Sequence, residues 1–296
     1  MTFAEKLKAI RKQAGMSQES LAEKLGVSRQ AVTKWETDGG IPDIENIMAI
    51  SALFGISIDE LLSNEKGTKQ PADFLFESVT EYDIDEPKRY DMKLGGANRL
   101  VLSGYEGEKL RVRLASNALT TLQSDFKVKI DDIKRRIDVN VIRKNGMTEA
   151  AAKEAVTIFV YVPSPYLGRI ELEANAEMVE VNALECESIE LDTKTSRMVL
   201  NGVIGTVELN CNLDMNILCG SLAGCIEVNQ VSATSRIGVP EGTAFAAVCK
   251  GVGTSISYMK DGKSTEPFCK PDAENVIELN GIRSELVIYT AERGML

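Results

Sequence analysis

The sequence predicts a two-part molecule: a small all-α domain of five helices, then a larger all-β domain whose short strands repeat along the chain. Three observations predict it. Cap and stop residues punctuate the first 62 positions at helical spacing, apolar periodicity vanishes over residues 63–75, and from residue 170 apolar-x-apolar units recur about every nine or ten residues.

The first helix is expected over residues 2–14, where Phe3, Leu7 and Ile10 share a face and Thr2 with Glu5 forms a capping box. Gly15 stops it. Ser17 caps a second helix that turns Leu21, Ala22 and Leu25 to one side and ends at Gly26. After Val27, Ser28 is a natural N-cap for a third helix to Thr37, with Ala31, Val32 and Trp35 inward. Its outer side carries Arg29, Gln30, Thr33 and Lys34, side chains able to reach base edges and phosphates in a major groove. Asp43 caps a fourth helix with Ile44, Ile47, Ile50 and Leu53 inward, ended by Gly55. Ser57 and Glu60 open a fifth through Leu61 and Leu62.

Composition sets limits on function. Hydrophobic residues make up 44% and charged residues 26%, which marks a folded chain rather than a disordered one. The formal charge of −10 is unusual for a protein that approaches phosphate, and residues 1–62 hold seven cations against nine acids. A nucleic-acid role must therefore rest on where the cations sit. No His is present, and Cys186, Cys211, Cys219, Cys225, Cys249 and Cys269 form no CxxC pair, so a zinc site is not expected and no cofactor is implied. A charged N-terminus and the lack of a run of about 18 apolar residues give the expectation of a cytoplasmic chain with reduced thiols and no membrane partner.

The stretch Ser17-Gln18-Glu19-Ser20-Leu21-Ala22-Glu23-Lys24-Leu25-Gly26-Val27-Ser28-Arg29-Gln30-Ala31-Val32-Thr33-Lys34-Trp35-Glu36 resembles the helix-turn-helix of the phage repressor and Cro family, known as the XRE family. The resemblance covers residues 1–62. It implies binding to double-stranded DNA, with Gln18 on a phosphate at the start of the second helix and with Arg29, Gln30 and Lys34 facing bases or backbone. Ser28 and Thr33 complete the expected DNA-binding set, on the helix at residues 28–37. For Arg11 and Glu36 the resemblance implies an internal ion pair, and Trp35 is assigned mainly to the core.

Residues 63–75 contain Gly67 and Pro71 and read as the start of a linker, so the expected boundaries are 1–63, a linker at 64–79, and an all-β domain at 80–296. Alternation at Leu110–Leu114, Ile137–Ile142 and Val156–Val162 marks strands, with one possible helical turn near Glu149–Glu154. The later units start at Ile170, Val179, Ile189, Met198, Val207, Met215 and Ile226. Every second one aligns, because Ile170, Ile189, Val207 and Ile226 lie 19, 18 and 19 residues apart. A β-solenoid with a coil of about 19 residues, two strands per coil, is the expectation. Val181, Leu200 and Cys219 keep the same step, which places Cys219 inside. Glu171, Glu190, Glu208 and Glu227 fall between apolar pairs and should stack on one outer face, either as a solvated surface or as a site for a cation or basic partner. This half resembles adhesin-like β-solenoid domains over about residues 80–290, a resemblance that implies an interaction module and carries over no catalytic residue.

The functional expectation is a sequence-specific transcriptional regulator, a dimeric repressor on a palindromic operator. Its β domain would supply the homodimer contact, sense an unknown effector or protein partner, or do both. An antitoxin that autoregulates through the same helix-turn-helix is the alternative. An enzyme is not expected, because no Ser and Lys stand out from the repeat, and Asp192, Asp214 and the glutamates fall where exposed repeat residues would fall anyway.

Overall fold

The computed structural model describes residues 3–14, 16–37, 42–54 and 74–291. The chain divides into two units, Met1–Pro71 and Ala72–Leu296.

The first unit is helical. Helices α1 (Phe3–Gln13), α2 (Gln18–Leu25), α3 (Arg29–Glu36) and α4 (Ile44–Phe54) follow the cap and stop residues. The Ser17 side chain accepts from the Ser20 amide, and Gly26 ends α2 at φ 68°, where its N–H returns to the carbonyls of Ala22 and Glu23. Ser28 caps α3 by accepting from the Ala31 amide, and Asp43 caps α4 by accepting from the Asn46 amide at 2.9 Å. The inward faces meet in one core of Phe3, Leu7, Leu21, Ala22, Val32, Trp35, Ile47 and Ile50. Each large apolar side chain buried there is worth about 1.5–3 kcal/mol. The caps expected at Thr2 and Ser57, the stops at Gly15 and Gly55 and the fifth helix lie outside the described residues.

Among its described residues the second unit is all-β apart from two short α-helices and one 3-10 turn. Its strands begin with β1 (Phe76–Asp83), β2 (Lys88–Tyr105) and β3 (Lys109–Ser116), followed by helix α5 (Leu122–Asp125). Strands β4 (Phe126–Ile133) and β5 (Arg136–Arg143) precede helix α6 (Glu149–Ala155), which forms at the helical turn expected near Glu149–Glu154. Then come β6 (Thr157–Pro163), β7 (Leu167–Thr193), β8 (Arg197–Asn210), β9 (Asn216–Cys219), β10 (Ala223–Val231) and β11 (Thr234–Pro240). The chain closes with β12 (Ala246–Val252), β13 (Ser255–Lys260), β14 (Lys263–Ser264), β15 (Val276–Ile282) and β16 (Glu285–Ala291). Strand β1 takes the last four residues expected of the linker at 64–79. The alternation from Phe76 to Tyr82 satisfies its backbone by antiparallel pairing with β3, Phe76 opposite Ser116. On the outer side Arg113 pairs with Glu77 and lies over the rings of Phe74 and Phe159, 5.7 and 4.9 Å from their centroids.

Long strands bend, so that their two halves serve two parallel ladders. In one ladder Ile137, Tyr90 and Ile170 stand side by side, and farther along Ile189, Val207, Ile226 and Ile277 do so. In the other, Ile158, Leu100, Val179, Met198, Ile217, Ile237, Ile288 and Tyr258 follow one another. All of these residues are buried. The partner of Met198 is Ile217, so the unit expected to start at Met215 pairs two residues later, inside β9. Val181, Leu200 and Cys219 align in register, and Cys219 is fully buried.

Both ends of the ladders depart from chain order. Strands β5 and β6 flank β2 on the outside although they follow it in sequence. Strands β15 and β16 insert between the β10/β11 pair and the β12/β13 pair. Antiparallel pairs β1–β3–β6 and β4–β5 close one end. At the other, Phe268 packs edge-on against Phe245 and Tyr258, with centroids 5.8 and 5.3 Å away.

Candidate nucleic-acid interface

The helical unit presents the expected residues from two short helices. Val32, Trp35 and Glu36 point into the core, so the helical period turns Arg29, Gln30, Thr33 and Lys34 outward, and all four are exposed. Ser28 is spent on the cap, its hydroxyl 3.1 Å from the Ala31 nitrogen. The Thr33 hydroxyl donates to the Arg29 carbonyl at 3.0 Å, a bond local to the helix.

What holds the two helices in place is a buried polar cluster. Arg11 on α1 donates to both oxygens of Glu36 on α3, Nε to Oε1 at 2.6 Å and Nη2 to Oε2 at 2.8 Å, and Nη1 caps the Met16 carbonyl at 2.7 Å. This is the internal pair that the resemblance implied. Burial alone would raise the Glu36 carboxyl, but the hydrogen bonds from Arg11 and Gln18 outweigh it and hold the group below the ordinary glutamate range. The bond to Glu36 raises Arg11 in turn.

Gln18 is placed differently from a free phosphate ligand. Its Nε2 donates to Glu36 Oε2 at 2.9 Å, and its Oε1 lies 3.1 Å from the Thr33 hydroxyl. The side chain thus links the start of α2 to the middle of α3. Glu19 also joins the site, its Oε2 lying 3.7 Å from Arg29 Nη1 with both side chains 64% exposed. A pair so exposed contributes about 0–1 kcal/mol and leaves Arg29 able to exchange partners. Neither link has a sequence signal, because the partners lie on different helices at separations set only by how those helices pack.

In the β unit acidic residues stack in two runs, with Glu190, Glu208 and Glu227 of the expected set in one and Glu171 in the other. Glu190, Glu208, Glu227 and Glu278 stand in register on successive strands, and Asp138, Asp91 and Glu171 do the same nearer the other end. Amides of the neighbouring column stitch the first run together: Asn210 Nδ2 donates to Glu190 at 3.0 Å, and Asn229 Nδ2 to Glu208 at 2.7 Å and to Asn210 Oδ1 at 2.8 Å. Lys250 Nζ meets Glu278 at 2.7 Å.

Comparison with known proteins places the first unit in a family. The family described as Helix-turn-helix matches residues 7–61. The transcriptional activator BcrR of Enterococcus faecalis is 48% identical over 66 residues, 22% of this chain, and the match spans only 32% of that protein's own length. The helix-turn-helix-type transcriptional regulator YqaE of Bacillus subtilis is 32% identical over 88 residues, 30% of this chain and 72% of YqaE. For the β unit, a crystal structure of a protein from Clostridium sporogenes assigned to cell adhesion aligns over 73% of this chain and 100% of its own, at 11% identity and a TM-score of 0.35.

Proposed function

The chain belongs to the helix-turn-helix family of transcriptional regulators, and from that premise we propose that it binds double-stranded DNA sequence-specifically and represses transcription as a dimer on a palindromic operator. One observation carries this reading: Arg29, Gln30, Thr33 and Lys34 project together from α3, while the opposite side of the helix is locked to α1 and α2 through Val32, Trp35 and Glu36. A rigid helix with a donor-rich outer face is what a major groove accepts. Arg29 and Gln30 read base edges, Lys34 and Thr33 meet the backbone, and Ser28 fixes where the helix begins. Gln18 approaches a phosphate from the amino end of α2, in exchange for its bond to Glu36.

Residues 1–63 read the operator in this proposal, and the β domain from residue 80 supplies the contact between two copies. Parallel ladders whose strands recur at the 19-residue step support reading that domain as a β-solenoid. Selection of bound fragments from a random DNA pool by the full chain tests the function. An enriched palindrome with half-sites about one helical turn, or about 34 Å, apart is expected. Recovery of no common sequence at moderate salt would refute sequence-specific binding.

A further inference from the structure

Four strands end the two ladders, and three of them are guarded. Strand β1 carries Glu77, Glu81 and Asp83, and Gln123 Nε2 donates to the Glu77 carbonyl from the side. Strand β4 carries Lys127 and Lys129, a common guard of exposed edges. Strand β13 turns back on itself through β14.

Among the described residues, strand β12, Ala246-Ala-Val-Cys-Lys-Gly-Val252, pairs with β15 alone. It carries a single charge, Lys250, paired with Glu278, against three on β1, which pair with Arg113, Arg111 and Lys109. The Ala246 amide donates to the Asn275 carbonyl and the Val252 carbonyl accepts from Arg283, both on the β15 side. With a period of two along a strand, Ala247, Cys249 and Gly251 direct their N–H and C=O groups to the open edge. Apolar exposure rises toward that edge: Val231, Ile282 and Val252 stand in register on β10, β15 and β12 and are 48%, 52% and 75% exposed.

We propose that β12 is the strand through which two copies of this chain join, edge to edge and antiparallel, with the two-fold axis at Cys249. The proposal rests on the reading that the β domain dimerises, and it names the surface. In this register Ala246 faces Val252 of the second copy, Ala247 faces Gly251, and Val248 faces Lys250, so no like charges oppose one another. The same operation centred on Val79 of β1 would set Glu77 against Glu81. The open N–H and C=O groups of Ala247, Cys249 and Gly251 find partners, and the exposed Val252 side chain is covered.

The test uses the full chain and measures molecular mass by light scattering and sedimentation over a range of concentrations. Ala247→Pro removes an edge donor from each copy without touching a bond to β15, as proline on an open edge permits. It should raise the dimer dissociation constant by about tenfold or more, the loss that goes with two edge hydrogen bonds. Cys249→Lys sets two cations against each other on the axis and should act likewise, its unfolding midpoint showing that the fold is kept. Cys249 is also the one exposed cysteine of the six, so mild oxidation with diamide should link dimers covalently in the wild type and not in Cys249→Ser. A folded Ala247→Pro or Cys249→Lys protein that dimerises like the wild type overturns the β12 interface and leaves dimerisation by the β domain standing. A wild-type chain that stays monomeric, free and on a two-half-site operator, removes both.

Discussion

Arg11 and Glu36 meet as two parallel forks, 2.6 and 2.8 Å apart, with side chains only 9% and 1% exposed. Breaking such a pair leaves a charge in the core without its partner. Arg11→Ala should therefore cost about 3–5 kcal/mol, enough to unfold much of a domain of this size, whereas Glu36→Gln keeps the size and one of the two acceptor oxygens, its NH2 being unable to accept from Arg11 or Gln18, and should cost less. Urea unfolding of the full chain followed at Trp35, the single tryptophan, reports on this unit alone.

The pH dependence has a defined sign. The Glu36 carboxyl lies below its ordinary value in the folded chain, so the stability it contributes is fully present above the unfolded value of about 4.3 and is lost as pH falls through the folded one. The Trp35-reported transition should weaken below about pH 4, and Glu36→Gln should flatten that part of the curve. An unchanged acid limb in Glu36→Gln would mean that other carboxylates set it.

On DNA, Arg29→Ala or Gln30→Ala should lose about 1–3 kcal/mol on the selected operator and little on random sequence. Gln18→Ala should weaken all sequences alike. Because Gln18 also bonds Glu36 and Thr33, it should lower the unfolding midpoint as well, which the α3 variants should not. Fluorescence anisotropy on operator and scrambled duplexes separates the roles, and equal losses on both for Arg29→Ala would take it out of base reading.

Replacing Glu171, Glu190, Glu208 and Glu227 together with Gln should raise the thermal midpoint of the β domain at low salt. Carboxylates on neighbouring strands about 4.8 Å apart repel by about 0.9 kcal/mol in water. The gain should shrink as salt is added. A loss of stability at every ionic strength would show that the amide bonds to Glu190 and Glu208 outweigh the repulsion.

Gly205 and Gly224 sit side by side at φ 126° and 116°, and a Cβ would fall 2.0 Å from the Cys186 carbonyl oxygen in the first and 2.2 Å from the Gly205 oxygen in the second. Only glycine lets the strands close there. Gly224→Ala should destabilise the β domain by about 1–3 kcal/mol, whereas Gly242→Ala, at φ 83° with open space around its Cβ, should cost less. Equal midpoints for the two variants would show that the contact adds nothing to the strain.

Features set by local chemistry are legible in the order of residues. Ser17, Gly26, Ser28 and Asp43 mark helix ends because a cap needs only its own backbone neighbours, and the 19-residue step from Ile170 to Ile226 announces strands stacked in register. The outward set on α3 was legible for the same reason, since the period of one helix sorts Arg29 and Lys34 from Val32 and Trp35. Tertiary structure decided the rest. An apolar-x-apolar strand offers the same hydrogen bonds and nearly the same buried area to any neighbour of its kind, so nothing local says that β15 lies between β10 and β12, or that β5 and β6 lie outside β2. Packing and closure of the ends choose among those orders. The tie from Gln18 to Glu36 and Thr33, and the bonds from Asn229 to Glu208 and Asn210, likewise join residues 15 to 21 positions apart, and exist only once whole elements have docked.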